Sequence, residues 1–173
     1  MERLWTPWRL AYVTGASGSV SGCIFCDALA PAISDHDPLV LIRCPDAYVI
    51  LNRYPYNNGH LMVIPRMHAS DVHALSEGDY QELSEMLRIA LRLVGRAYAP
   101  QGANLGMNLG RVAGAGIADH LHWHVVPRWG GDTNFMPVLA DSKVMIEHLH
   151  ASWDRLRPLF DAEYRRGEPV GSW

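Results

Sequence analysis

Apolar and polar residues alternate through His120-Leu121-His122-Trp123-His124-Val125, and the run closes on Val126-Pro127-Arg128. Successive side chains of a β-strand point to opposite faces. The pattern therefore predicts a strand over 120–128 whose three imidazoles share one face, about 6.5–7 Å apart, with Leu121, Trp123 and Val125 turned toward a buried layer. Two short β-branched runs, 38–43 and 47–52, flank Cys44-Pro45-Asp46, which reads as a turn. Tyr54-Pro55-Tyr56-Asn57-Asn58-Gly59 is a loop, and His60-Leu61-Met62-Val63-Ile64-Pro65 is the next strand. No helix separates these strands, so they pair antiparallel. Residues 103–109 add a fifth strand.

Two helices are expected. Ser70-Asp71 and Ser76-Glu77 are candidate helix starts, and residues 76–98 carry Tyr80, Leu83, Met86, Leu87, Ala90, Leu91, Val94 and Tyr98 at helical spacing. Pro100 and Gly102 end that segment. Residues 143–166 repeat the pattern with Val144, Ile146, Leu149, Trp153, Leu156 and Leu159, and Pro158 is expected to break it. Strands in a run, with helices around them, give an α+β domain: an antiparallel sheet of about five strands, a long covering helix and a C-terminal helix. Residues 1–22, rich in Trp, Pro, Gly and Ser, read as an N-terminal arm that Trp5, Trp8 and Tyr12 dock against the core or a neighbouring subunit. Residues 143–173 form the C-terminal helix and tail, and 1–173 is one domain.

Composition narrows the function classes. A chain of 173 residues, 49% hydrophobic and 19% charged, is an ordinary globular domain. A formal charge of −3 offers no broad basic surface for nucleic acid or anionic membrane. No apolar run approaches a membrane span, and Met1-Glu2-Arg3-Leu4-Trp5 lacks a secretory leader's apolar stretch, so a cytoplasmic location is expected. Three cysteines, two of them in Cys23-x-x-Cys26, then suggest a metal or redox role rather than a disulfide scaffold. Cys44 reads as a small core residue.

Five of the nine histidines fall in or near the patterned segments. Three imidazoles on one strand face could be polar residues on a solvated face, a metal site, or a histidine nucleophile with histidine helpers. The stretch Gly102-Ala103-Asn104-Leu105-Gly106-Met107-Asn108-Leu109-Gly110-Arg111-Val112-Ala113-Gly114-Ala115-Gly116 reads as a strand opening into a glycine-bearing loop. Exposed backbone N–H groups in such loops bind anions, which points the pair toward phosphate chemistry.

The run His120-Leu121-His122-Trp123-His124-Val125-Val126 resembles the signature of the histidine triad (HIT) superfamily of nucleotide hydrolases and transferases, His-φ-His-φ-His-φ-φ with φ hydrophobic. The Leu51–His60 segment and Pro65-Arg66-Met67-His68 resemble it too. Trp5-Thr6-Pro7-Trp8-Arg9, Gly22-Cys23-Ile24-Phe25-Cys26 and Val126-Pro127-Arg128-Trp129-Gly130-Gly131-Asp132-Thr133-Asn134-Phe135 are similar to the branch that includes bacterial diadenosine tetraphosphate phosphorylases.

The resemblance implies a HIT-like fold, usually a dimer with sheets joined across subunits, a homotetramer being the other assembly expected. It implies that His122 is the nucleophile, with His124 beside it as a donor to the α-phosphate or leaving oxygen and His120 completing the triad. Asn108 matches a phosphate-contacting asparagine, and Gly114 to Gly116 would supply backbone donors. Asn52 matches a ribose-binding residue, though a strand-end turn former is the plainer reading. Leu51, Ile50 and Ile24 are candidates for an adenine pocket, although apolar residues at such places are more often plain core, and Arg128 would suit a polyphosphate. His60 is expected to be structural. Zinc-bearing relatives, including the galactose-1-phosphate uridylyltransferase branch, suggest that His68 and His120 complete a structural zinc site with Cys23 and Cys26; no organic cofactor is implied.

One departure stands out. Many hydrolase members carry Gln four residues before the first triad histidine, and here that residue is Gly116. Without that amide to orient water, a phosphorylase is expected over a hydrolase: diadenosine tetraphosphate plus orthophosphate to ADP plus ATP. The rivals are a water-using HIT hydrolase, a zinc-dependent hydrolase with catalytic metal on His120 and His122 or His124, and a non-catalytic nucleotide-binding module.

Overall fold

The structure is a computed structural model that describes residues 22–29, 39–133 and 145–164. Trp5, Trp8 and Tyr12 of the expected arm, Asn134 and Phe135, and the residues beyond 164 lie outside the described residues.

The β-branched runs become strands β1 (Val40–Arg43), β2 (Ala47–Leu51) and β3 (Leu61–Pro65). A four-residue helix, α1 (Ile24–Asp27), precedes them, and the long helix α2 (Glu77–Tyr98) follows. Strands β4 (Gly102–Gly106) and β5 (Trp123–Arg128) complete one antiparallel sheet in the order β1-β2-β3-β5-β4, and α3 (Leu149–Tyr164) closes the described chain. Ser76 caps α2 through a reciprocal bond with Asp79, satisfying donors that a helix start leaves open.

Strand alternation divides the apolar residues into two layers. Leu41, Val49, Leu51, Leu61, Val63, Leu121 and Val125 face α2 and α3 and form the main core with Leu83, Leu93, Leu156 and Phe160. On the other face Val40, Tyr48, Met62 and Ile64 pack with Phe25 of α1. The Tyr48 hydroxyl donates to the Phe25 carbonyl at 2.7 Å and pins α1 to the sheet; burial pushes that phenol's pKa up.

Two expectations are corrected. The predicted strand 120–128 is paired only from Trp123. Its neighbour β3 runs out at Pro65, which has no N–H to donate, and the Pro65 carbonyl accepts from the His120 ring instead. Pro158 does not break the last helix, which continues through it from Leu149 to Tyr164. Pro158 lies on the exposed side, as does Asp154, the residue whose carbonyl loses its helical donor.

Gly59, before His60, has φ +72, and a Cβ there would lie 2.6 Å from Cε2 of Tyr98. Gly59→Ala should therefore combine a left-handed backbone strain of about 1–2 kcal/mol with a clash against a ring half-buried on α2. A drop in chemical-denaturation midpoint with an unchanged slope is the expected result.

Candidate active site and metal centre

The register places the imidazoles. Met62 of β3 opposes His124, and Ile50 of β2 opposes Met62. His124 therefore shares the α1 face of the sheet with Met62 and Ile50, while Trp123 and Val125 turn to the helix side. His120 and His122 lie just before the paired strand on the same side, buried. The alternation thus survives where the ladder does not, and a solvated face is excluded.

The ring of His122 donates from Nδ1 to the carbonyl of His120 at 2.8 Å. That leaves Nε2 unprotonated, with its lone pair available. Burial lowers the pKa of His122, with the carbonyl bond opposing it, so the ring is neutral near pH 7. The ring of Phe25 sits 5.0 Å from His122, centroid to centroid, and fills the space beside it.

His124 is governed by His60, which is fully buried. The backbone N–H of Tyr56 donates to His60 Nδ1 at 2.9 Å. A neutral His60 then carries its proton on Nε2, which lies 3.0 Å from His124 Nδ1. His124 Nδ1 accepts, so its Nε2 bears a proton and is a donor. Tyr56 also stacks on His124, ring centroids 5.9 Å apart. Two neighbouring imidazoles are thereby held in opposite tautomers: an acceptor at His122 Nε2, a donor at His124 Nε2. His60, expected to be structural, thus also orients a triad ring, through its burial and the Asn57-Asn58-Gly59 turn before it.

Asn52 accepts the Tyr54 N–H at 2.9 Å through its side chain, the turn-forming geometry, and its Nδ2 sits 3.4 Å from His60 Nε2. Both those nitrogens are donors, so this is a contact rather than a hydrogen bond. Leu51 is corrected as a site residue. It opposes Leu61, which opposes Val125, so it faces the helices and is 1% exposed in the main core. Its neighbour Ile50 is on the imidazole side.

A cleft of about 380 Å³ opens from His124 and is lined by Tyr56, Asn104, Asn108, Arg128 and Thr133 among others. The glycine loop bounds it. Gly114 adopts φ +92 after a 3₁₀ turn at Arg111–Ala113, and its carbonyl accepts from Asn108 Nδ2 at 3.4 Å. Gly114 and Gly116 are exposed and do not line the cleft itself.

Beyond the cleft, Asp132 gathers donors. Its carboxylate accepts from Arg128 Nε at 2.6 Å and Nη2 at 3.0 Å, from Asn57 Nδ2 at 2.8 Å and from the Trp129 N–H at 3.2 Å. The adjacent guanidinium holds this carboxyl well below the usual carboxylate range.

On the other side of His120, Cys23 and Cys26 of the α1 turn meet His68 from the exit of β3. Cys23 Sγ is 3.2 Å from His120 Nδ1, Cys26 Sγ is 3.6 Å from it, and Cys26 Sγ is 3.4 Å from His68 Nδ1. The four ligand atoms all lie within 4.8 Å of one another. A tetrahedral zinc with bonds of ~2.3 Å to sulfur and ~2.0–2.1 Å to nitrogen separates its ligand atoms by about 3.3–3.8 Å. His120 donates its other ring nitrogen, Nε2, to the Pro65 carbonyl at 2.9 Å, which turns the Nδ1 lone pair toward the thiols, the arrangement typical of a metal-bound histidine. Among the described residues no other group of three such side chains is close enough to hold a metal. His122 and His124 are not in it.

A family model described as HIT domain matches residues 34–131. An AP-4-A phosphorylase of Mycobacterium tuberculosis is 41% identical over 152 residues, covering 84% of this chain and 77% of that protein. Among solved structures, a hypothetical histidine triad nucleotide-binding protein of Sulfolobus tokodaii superposes with a TM-score of 0.67 at 24% identity, covering 86% of this chain and 100% of that one. A Zn-bound histidine triad family protein of Mycobacterium smegmatis does so at 0.64 and 24% identity, covering 85% and 98%.

The depressed carboxyl of Asp132 contributes stability above its unfolded pKa of about 3.9, and that contribution is lost as pH falls toward the lower folded value. Asp132→Asn should lower stability at pH 7 by roughly 1.5–3 kcal/mol, the range for hydrogen bonds to a charged group. Denaturation measured at several pH values should show the gap to the parent closing below about pH 4.

Proposed function

The chain belongs to the HIT domain family, and within it we propose that this protein is a nucleotidyl transferase that splits dinucleoside polyphosphates by phosphorolysis, diadenosine tetraphosphate and orthophosphate giving ADP and ATP. The observation that carries the reading is the pair of opposite tautomers at His122 and His124. The 41% identity to the M. tuberculosis AP-4-A phosphorylase supports the substrate class.

The chemistry follows from the tautomers. His122 Nε2 attacks the α-phosphorus, and the bond from phosphorus to the bridging oxygen breaks with its electron pair leaving on ATP. His124 Nε2–H faces the departing oxygen and stabilises the charge that develops there. Nδ1 of His122 keeps its proton on the His120 carbonyl, so the positive charge that the ring gains on bonding to phosphorus is met by a carbonyl dipole. Asn108, at the wall of the cleft, holds a phosphoryl oxygen. Asn52 reaches the ribose hydroxyls, and Ile50 and Ile24, rather than Leu51, border the base.

Cys23, Cys26, His68 and His120 would hold zinc. Their spacing fits a closed tetrahedral site, which is structural because it keeps no position for substrate. A bound metal would tie α1, the exit of β3 and the lead into β5 together. Since His120 is both a ligand and the residue whose carbonyl orients His122, the site supports the nucleophile's geometry without taking part in the displacement. The edge strand β4, with Leu105 exposed, is where a second copy would extend the sheet into the expected dimer.

Chromatography of products from diadenosine tetraphosphate, with and without orthophosphate, tests the reading. ADP plus ATP appearing only with phosphate is expected; AMP plus ATP in both tubes would make the protein a hydrolase. His122→Ala should reduce turnover by 10⁴-fold or more, the order seen when a covalent nucleophile is removed. Chelation should lower melting temperature and activity in parallel over the same time course, since metal and folding are coupled. Immediate loss of activity with unchanged melting temperature would instead favour a catalytic zinc.

A further inference from the structure

A phosphorylase must favour orthophosphate over water, which is far more abundant, and nothing in the triad itself makes that choice. In the second half-reaction the acceptor enters in line with the His122–phosphorus bond, from the side the leaving group vacated. The cleft that opens from His124, on the imidazole face of the sheet, is the open space beside the triad. Among the described residues that line it, Arg128 is the one cation.

Arg128 lies on the same face of β5 as His124, two alternations further along the strand. Its side chain does not run straight out. Nη1 donates to Asn104 Oδ1 at 2.6 Å, and Asn104 opposes Val126, one step nearer to His124. The guanidinium is therefore drawn back along the cleft, leaving roughly one strand step, about 6.5–7 Å, to the level of His124. Directly across from His124 stands Gly106, with open space where a Cβ would be. The stretch of cleft between imidazole and guanidinium is bordered by Val126 and Asn104, and no β4 side chain stands directly across from His124.

The charge at this place is asymmetric. The Asp132 side chain is 7% exposed and that of Arg128 45%. The negative partner is inside and the positive one looks into the cleft. Asp132 and Asn104 take three of the five guanidinium N–H bonds, and one on each Nη remains for an anion. Such a preset fork suits phosphate oxygens.

We propose that Arg128, pinned by Asp132 and Asn104, is the acceptor-selecting residue that holds orthophosphate between itself and His124. The proposal rests on the nucleotidyl-transfer reading and deepens it. In the step it serves, an anionic oxygen of hydrogen phosphate attacks the adenylyl phosphorus. The new P–O bond forms as the His122 Nε2–P bond breaks, and its electron pair returns to Nε2, restoring the neutral imidazole with its proton still on Nδ1. Hydrogen phosphate brings its own anionic oxygen and needs no base. Water would have to lose a proton on attack. Asp132 is a positioning residue: it acts only through Arg128.

The test is the ADP:AMP product ratio at a fixed orthophosphate concentration with diadenosine tetraphosphate as adenylyl donor. Both products come from one intermediate, so the ratio does not depend on how fast that intermediate forms. Arg128→Gln should lower it about tenfold or more, the worth of a charge-assisted hydrogen bond, and raise the orthophosphate concentration that half-saturates ADP formation. Arg128→Lys should fall between. The double variant R128Q/D132N, which leaves no buried carboxylate unpaired, should give the same fall as R128Q and guards against misfolding of the single variant. A ratio within twofold of the parent in R128Q and in the double variant overturns the proposal while leaving the phosphorylase reading standing. Parent protein that makes no ADP at all overturns the reading, and the proposal with it.

Discussion

The hydrogen bond from His122 Nδ1 to the carbonyl of His120 sets which nitrogen of the central histidine is available for chemistry. That carbonyl is free to accept because β3 ends at Pro65 and the backbone before Trp123 is not part of the sheet ladder. His120 is itself held on two sides, by the Pro65 carbonyl at one ring nitrogen and by the cluster with Cys23, Cys26 and His68 at the other. One residue thus joins a candidate metal centre and a candidate nucleophile through its side chain and its main chain respectively. A change at either end is transmitted over two bonds of backbone rather than through a long path.

The second half of the site is built on a different principle. His124 is oriented by another histidine, His60, which is oriented by a backbone N–H of Tyr56. Each link in the chain leaves the next ring only one way to place its proton. The loop that carries His60 is held in turn by Gly59 against Tyr98 of α2 and by Asn57, which donates to the Pro127 carbonyl and to Asp132. The same loop therefore reaches from the tautomer of His124 to the salt bridge that fixes Arg128. Both ends of the cleft are set from one short segment that is buried at Asn57, Gly59 and His60.

Much of this was legible from residues alone. Alternation over 120–125 placed three imidazoles on one face, and it did so even where the backbone left the sheet, because the alternation follows from an extended chain and needs no ladder. The apolar spacing of 76–98 marked a helix that Ser76 then caps. Cys23-x-x-Cys26 announced half of a metal site by local spacing. Other features were not legible. Leu51 and Ile50 are neighbours of similar character, and a shift of one residue moves a side chain to the opposite face of a sheet, so the assignment of Leu51 to the base pocket failed on register. Pro158 is tolerated inside the last helix because its side of that helix is exposed, which is a tertiary fact.

Patterns along the chain were enough for the α+β class, the helix that covers the sheet, the common face of His120, His122 and His124, and the family to which the chain belongs. These follow from periodicity and from residue types at short spacing, which are local properties of the chain. It took the folded chain to bring His68 and His120 to the two cysteines, to set His60 against His124, and to let Asp132 and Asn104 draw Arg128 back toward the cleft. Those contacts join residues up to 97 positions apart. They turn on which nitrogen meets which partner within about 3 Å, a precision that strand register and burial supply and that no pattern along the chain encodes.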